Sequence, residues 1–273
     1  MTKKHVNDAA FTKEEVEQYL SSYSDFAFEV KVLSLLSSSG FECYHSGTYT
    51  DPVTKKTREY DIRALKLIEV RNVGNFQLLL PVECKNIKPY SPLVVHRLPR
   101  TVEEACHDLI INKGSRRLPV TVPASHSLYQ MDTMTGKSVD QLRRSDQRIS
   151  GSDSDVFDKI SQALASAADL VHGAATGVAC PVISAVIPIL VVPSNTLWVI
   201  DYDKHGNVVE GPVSAKHTSY YCDKVLFLGQ HVSRPYCVSH LEIVTIDHLQ
   251  EFLPFLNLNR HYLGELVSQA KCS

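Results

Sequence analysis

Apolar residues over the first forty positions recur at helical spacing, and from residue 41 onward they recur mainly at the shorter period of strands. Residues 12–20 carry a short helical pattern in which Thr12 and Glu15 stand at capping-box spacing. A stronger amphipathic segment runs from residue 25 to about 38, with Ser24 as its N-cap and Gly40 as its stop. Three strands are then predicted, over 41–49, 58–67 and 76–85, the first two divided by a turn at Asp51-Pro52.

The pattern is less regular over 86–150, where Pro89, Pro92, Pro99, Pro119 and Pro123 interrupt it and a helix is predicted over 102–111. Residues 113–148 are rich in Lys and Arg. We read 87–150 as an insertion into a single domain spanning 1–273. Regularity returns with a helix over 155–172, whose Val156, Ile160, Leu164 and Ala167 share one face. Strands over 182–192 and 196–202, a turn at 203–207, and two or three strands between 208 and 246 follow. Closing helices are expected near 247–257 and 260–270, which makes 203–273 a C-terminal elaboration. The fold class is α/β: a mixed central sheet flanked by helices.

Composition narrows the function more than the fold. The chain has 273 residues, 44% hydrophobic and 21% charged, as a soluble globular protein does. Its 28 Lys+Arg against 30 Asp+Glu leave a net charge of −2, which argues against a protein that coats nucleic acid. Phosphate contacts must come from local clusters, for which Lys55, Lys56 and Arg58, with Arg116, Arg117, Arg143, Arg144 and Arg148, are the candidates. Seven scattered cysteines without a CxxC pair point to a reducing, cytoplasmic setting. No signal peptide is expected. The most apolar run, 178–192, is broken by Pro181, Ser184 and Pro188 and is shorter than the ~20 residues a membrane span requires, so no membrane partner is expected.

Three short signals carry chemistry. Glu29 sits at the edge of the apolar stripe of the 25–38 helix, where a carboxylate is costly unless paired or bound to a metal. Its bland alternative is a residue that reaches solvent. Glu83 and Lys85 share one strand face, opposite Leu78, Leu80, Val82 and Cys84, so a carboxylate and an ammonium stand side by side at a strand end. Alone, that pair reads equally as a surface ion pair. Asp61 interrupts a strand, for which Asp is a poor former, and lies on the face opposite Ile62 and Ala64.

Taken in order, helix-Glu29, Gly40-Phe41 leading into a strand, Arg58-Glu59-Tyr60-Asp61-Ile62 and Val82-Glu83-Cys84-Lys85 resemble the PD-(D/E)XK nuclease superfamily, in its restriction-endonuclease-like and Holliday-junction-resolvase-like branch. The likeness covers residues 24–86 and continues loosely through 155–172 and 182–202. Tyr60 stands where the motif has Pro, Pro81 implies a bend or an edge in its strand, and the 87–150 insertion is long. The resemblance implies a restriction-endonuclease-like fold and hydrolysis of phosphodiester bonds, in DNA ahead of RNA. It implies Mg²⁺ (or Mn²⁺) held by Asp61 and Glu83, with the Cys84 backbone carbonyl and Glu29 completing the shell. Lys85 would position or deprotonate the attacking water, and Gln162 would be an accessory polar residue. A homodimer or a partner subunit fits a protein of defence or repair. The alternative is a catalytically silent nuclease-like module that binds nucleic acid or proteins in a larger complex. Cys222, His231, Cys237 and His240 match no common zinc spacing, and neither GxSxG nor a phosphate-binding glycine loop is present.

Overall fold

The computed structural model describes residues 10–22, 24–51, 54–70, 74–113, 116–145, 148–176, 182–227, 234–256 and 263–265. Two helices open the chain, α1 (Lys13–Ser22) and α2 (Asp25–Ser38). Thr12 and Glu15 bond each other's backbone amides, the reciprocal pattern their spacing suggests. Ser24 caps α2 by accepting from the Ala27 amide at 3.4 Å. Gly40, at φ 81°, turns the chain out of α2 in the left-handed region that glycine occupies without strain.

Three antiparallel strands follow: β1 (Glu42–Thr50), β2 (Thr57–Val70) and β3 (Gly74–Cys84). The segment read as an insertion supplies β4 (Leu93–Pro99), the short α3 (Val102–Ala105), β5 (His107–Lys113), β6 (Arg116–Val122), β7 (Met134–Ser145) and β8 (Arg148–Ser152). Then come α4 (Ser154–Thr176), β9 (Val182–Val186), β10 (Ile189–Val192), β11 (Leu197–Tyr202), β12 (Val208–Ser214), β13 (His217–Leu226) and β14 (Tyr236–Thr245). The C-terminal part holds α5 (Leu249–Phe252) between two 3-10 turns. Of the predicted 260–270 helix only 263–265 are described, and they are helical.

Among the described residues, fourteen strands join one mixed sheet. β3 pairs antiparallel with β2 and parallel with β9 and β10. Beyond β10 the sheet continues through β14, β13, β7, β4 and β11 to β12, and beyond β9 through β5 to β6. Helices cover both faces. Phe28, Val32 and Leu36 of α2 and Phe252 of α5 pack on Ile62, Leu78, Leu80 and Val82. On the other face, Val156, Ile160 and Ala163 of α4 pack on Leu190, Leu241 and Ile243, and Ala167, Ala168 and Val171 pack on Leu79 and Ile110. A strand buried on both faces reads as a continuous apolar run, as β3 does.

Three expectations change. The helix over 102–111 is real only to Ala105, where Thr101 and Glu104 form its capping box. Residues 107–113 instead form a strand held between β6 and β9, with Leu109 and Ile111 on one face and Ile110 on the other. Tertiary pairing overrides a helical pattern that a short buried strand imitates. The single strand over 182–192 is two, β9 and β10, broken at Ile187-Pro188. That break also accounts for Pro81, which sits in a central strand and not at an edge. β9 pairs with β3 up to Leu79 and β10 resumes at Val82, so the missing proline donor falls where the neighbouring ladder is interrupted.

Candidate active site

The β2–β3 ladder runs from Val70↔Gly74 to Ile62↔Val82 and stops there, next to Asp61 and Glu83, while β2 itself continues to Thr57 along β1. The Cys84 amide points towards β2 beyond the ladder and donates to the Asp61 carboxylate at 2.8 Å. A side chain has replaced the next backbone acceptor, and the two strands part around it. Odd-numbered residues of both strands face α4. Arg63, two residues after Asp61, fixes that helix by donating to the Ser166 hydroxyl (3.2 Å) and pairing with Asp169 (2.9 Å), while its guanidinium lies 4.3 Å from the Tyr60 ring centre.

This clamp brings Lys159 of α4 over the point where β2 and β3 part. Its ammonium donates to Asp61 Oδ2 at 2.8 Å and to Glu83 Oε2 at 3.0 Å. The side chains of Glu83, Asp61 and Lys159 are 2%, 16% and 25% exposed, so Glu83 is buried and the other two are partly open to solvent. Burial, and then the Asp61 charge, push the Glu83 carboxyl up to about 8, against the pull of Lys159. Burial opposes the Lys159 charge, yet Glu83 and Asp61 outweigh it and hold the ammonium above its ordinary range.

Lys85 stands on the same strand face, but its ammonium donates to the Asp155 backbone carbonyl at 2.9 Å, in the first turn of α4. Burial lowers its pKa, and the nearby Lys159 charge adds to that, while Asp155 works the other way. Glu29 is on α2 and therefore on the opposite face of the sheet. Its carboxylate meets His45 Nε2 at 3.0 Å, and His45 is the β1 residue opposite Ile62. Cys84 faces that side too, and burial followed by the charges of Asp61, Glu29 and Glu83 pushes its thiol well up. Among the described residues, no three His, Cys, Asp or Glu side chains gather closely enough to hold a metal ion. Asp61 and Glu83 are brought together, with Lys159 between them and Lys85 beside them; Glu29 is held apart by its histidine.

Gln162 lies one turn further along α4, where its backbone carbonyl accepts from Tyr49 at 3.5 Å. Lys159 is the α4 residue between the carboxylates, and it went unremarked in the sequence. The signal was there: Lys159 lies between Val156, Ile160 and Ala163 on the buried face of an otherwise apolar stripe. Of the basic candidates, Arg58 is tied to the buried Asp51 at 2.6 Å, and Lys55 and Lys56 are exposed in the β1–β2 turn. Arg116 and Arg117 belong to β6, at the far edge of the sheet, and their side chains lie outside the described residues. Arg143, Arg144 and Arg148 are exposed on the β7–β8 ribbon, and Arg143 pairs with Asp155. Of the set weighed for zinc, Cys222 donates to the Val238 carbonyl, Cys237 to Asp223, and His240 stacks on Tyr129, while His231 lies outside the described residues.

Two openings flank these residues. A groove of about 1080 Å³ begins at Lys85 and runs between residues 86–92 and the β7–β8 ribbon. On the opposite face, a pocket of about 260 Å³ adjoins the buried Glu242, which accepts from Ser219 (2.9 Å) and meets His217 Nε2 at 2.6 Å. No described helix is long and apolar enough to cross a membrane. Compared with protein-family models, curated proteins and solved structures, the chain finds no match in any of the three.

Proposed function

We propose that the chain is a metal-dependent nuclease of restriction-endonuclease-like architecture that hydrolyses phosphodiester bonds, in DNA ahead of RNA. The observation that carries this reading is the convergence of Asp61 and Glu83, from adjacent strands, on a single cationic point within 3.0 Å of both. Two carboxylates are hard oxygen donors that suit Mg²⁺ or Mn²⁺, and a buried Glu83 driven towards its neutral form is relieved by a divalent charge. Such an ion, when bound, supplies Lewis-acid stabilisation of the charge that builds on phosphate and acidifies a bound water.

The chain's own groups supply the rest. Asp61 and Glu83 would hold the ion, with the Cys84 peptide beside Asp61 as a further oxygen source. Lys159 keeps the two carboxylates together and offsets part of their charge before the ion arrives. Lys85, already short of its full basicity, orients the attacking water and offsets phosphate charge from the edge of the groove. The Lys159 ammonium also favours a second reading, the catalytically silent module, because it fills the cationic point without any metal.

The test is cleavage of supercoiled, linear and branched DNA and of single-stranded RNA with Mg²⁺ or Mn²⁺, alongside Asp61→Asn, Glu83→Gln and Lys85→Ala. A nuclease loses about 10²-fold or more in rate with each carboxylate change, the scale of losing one preorganised charge-stabilising group. Cleavage indifferent to all three substitutions would assign it to a contaminant. No cleavage of any substrate, with no Mn²⁺ bound by electron paramagnetic resonance, would leave the silent module.

A further inference from the structure

The groove that begins at Lys85 has a composition the catalytic residues do not explain. One wall is the chain from Asn86 to Pro92, which leaves β3 and enters β4. The other is the free end of β7 with β8, a two-stranded ribbon that projects past the last β4 pairing at Leu93↔Gln141. Lys88, Arg143 and Arg144 line it with Lys85, against Asp25 and Asp155. Asp155 is already matched by Arg143, and Arg144 has no ion-pair partner among the described residues. In a chain of net charge −2, this is a local cationic channel.

Two apolar groups stand in the same channel with most of their surface in water: Tyr90 at 73% and Ile149 at 65% exposure, on opposite walls. A duplex presents phosphates and sugars to a protein and keeps its base faces stacked inside, so it would meet the cations and leave these side chains unused. An unpaired strand offers both a backbone for Lys and Arg and a base face for an aromatic ring. The volume, at the top of the range for small-ligand pockets, and the open length from Lys85 to Ile149 suit a chain molecule rather than a metabolite.

We propose that this groove binds a single strand of nucleic acid, phosphates on Lys88, Arg143 and Arg144 and a base stacked on Tyr90, and leads that strand to Lys85. The inference rests on the nuclease reading for what happens at Lys85, but the binding itself does not require a metal.

The experiment is fluorescence anisotropy in EDTA, where no cleavage occurs, with a labelled 20-nucleotide DNA strand, its duplex and the matching RNA strand. Wild-type protein binds the single strands more tightly than the duplex. Tyr90→Ala weakens single-strand binding about 5- to 150-fold, the worth of one base–aromatic stack, and leaves the duplex unchanged, while Tyr90→Phe keeps single-strand binding. Arg144→Ala lowers the salt slope for the single strand by about 0.7. Tighter duplex binding with Tyr90→Ala neutral would overturn the proposal and make the groove a duplex site. Absence of binding to all three would overturn it as well, whereas Mn²⁺ binding at Asp61 and Glu83, measured separately, decides the nuclease reading on its own. Strand binding without Mn²⁺ binding would keep the groove and remove the metal centre.

Discussion

Replacing Lys159 by methionine keeps most of the stem's volume and removes the one ammonium between Asp61 and Glu83. At an effective dielectric of about 20, a charge pair at 2.8 Å and another at 3.0 Å are each worth ~6 kcal/mol before desolvation is subtracted. Breaking a buried pair on one side costs ~3–5 kcal/mol in practice. Two features pull the value down here: Lys159 and Asp61 are partly wet, and Glu83, already raised to about 8, takes up a proton instead of standing bare. A loss of ~2–3 kcal/mol at pH 7 follows, a fall of about 5–10 °C in Tm for a chain of this length. If the carboxylates bind Mg²⁺ with a dissociation constant near ~1 mM, 10 mM Mg²⁺ returns RT ln 11, ~1.4 kcal/mol, to the variant. Wild-type protein, whose ammonium must first give way, gains less. Thermal melts of wild type, Lys159→Met and Lys159→Met/Asp61→Asn, each with and without Mg²⁺, read this directly. Refutation is simple: a destabilised Lys159→Met that neither Mg²⁺ nor Mn²⁺ restores would make the three side chains a structural ion triad.

Glu83 gives the pH dependence its sign. Its folded pKa lies above the ordinary 4.5, so its contribution to stability is greatest below that value and is lost as pH rises through about 8; Mg²⁺ needs the ionised form, so Mg²⁺ affinity climbs towards pH 8 and then levels, and isothermal titration at pH 6, 7, 8 and 9 that gave a flat affinity would exclude Glu83 as a ligand. Glu242 behaves oppositely. Burial raises its pKa but the His217, Ser219 and Tyr129 contacts outweigh burial and hold it below 4.5, so its stabilisation is present above 4.5 and disappears as pH falls through the folded value. Glu242→Gln costs ~2–4 kcal/mol at neutral pH by denaturant melts, with unchanged Mg²⁺ binding and a gap that shrinks progressively as pH falls below 4.5; a gap that stays constant down to acid unfolding would mean the carboxylate charge is not what His217 recognises.

How much of this was legible in the chain differs by kind of feature. The limits of α2 followed from Ser24 and Gly40, because capping depends on residues adjacent in sequence. That Glu83 shares a face with Lys85, and Asp61 with Arg63, followed from strand alternation, which needs only parity within a strand. What lay beyond reach was register. Nothing local says that the β2–β3 ladder ends at Ile62↔Val82, and it is that ending which frees the Asp61 carboxylate to take the Cys84 amide and the Lys159 ammonium. The partner of Glu29 was out of reach for the same reason: an edge position on α2 leaves its neighbour across the sheet open, and the structure supplies His45, sixteen residues on. Residues 107–113 show the limit on elements themselves, since a short apolar stretch such as Leu109-Ile110-Ile111 supports a helix turn or a buried strand equally until its partners are known.

Four charged side chains meet where β2 and β3 part. Asp61 and Glu83 bring two negative charges, and Lys159 and Lys85 bring two positive ones, so a neutral set is available without a metal. Geometry does not use it that way: the Lys85 ammonium is on the Asp155 carbonyl, not on a carboxylate, and Glu83 remains driven towards its neutral form despite Lys159 at 3.0 Å. A buried ion group is often no more stable than apolar residues of the same size, so stability alone gives little reason to keep one next to Lys85, where the cationic groove begins. Two carboxylates that share one ammonium, with Lys85 next to them at the start of a groove lined by Lys88, Arg143 and Arg144, are better matched to the proposed divalent ion and anionic strand than to holding the sheet closed.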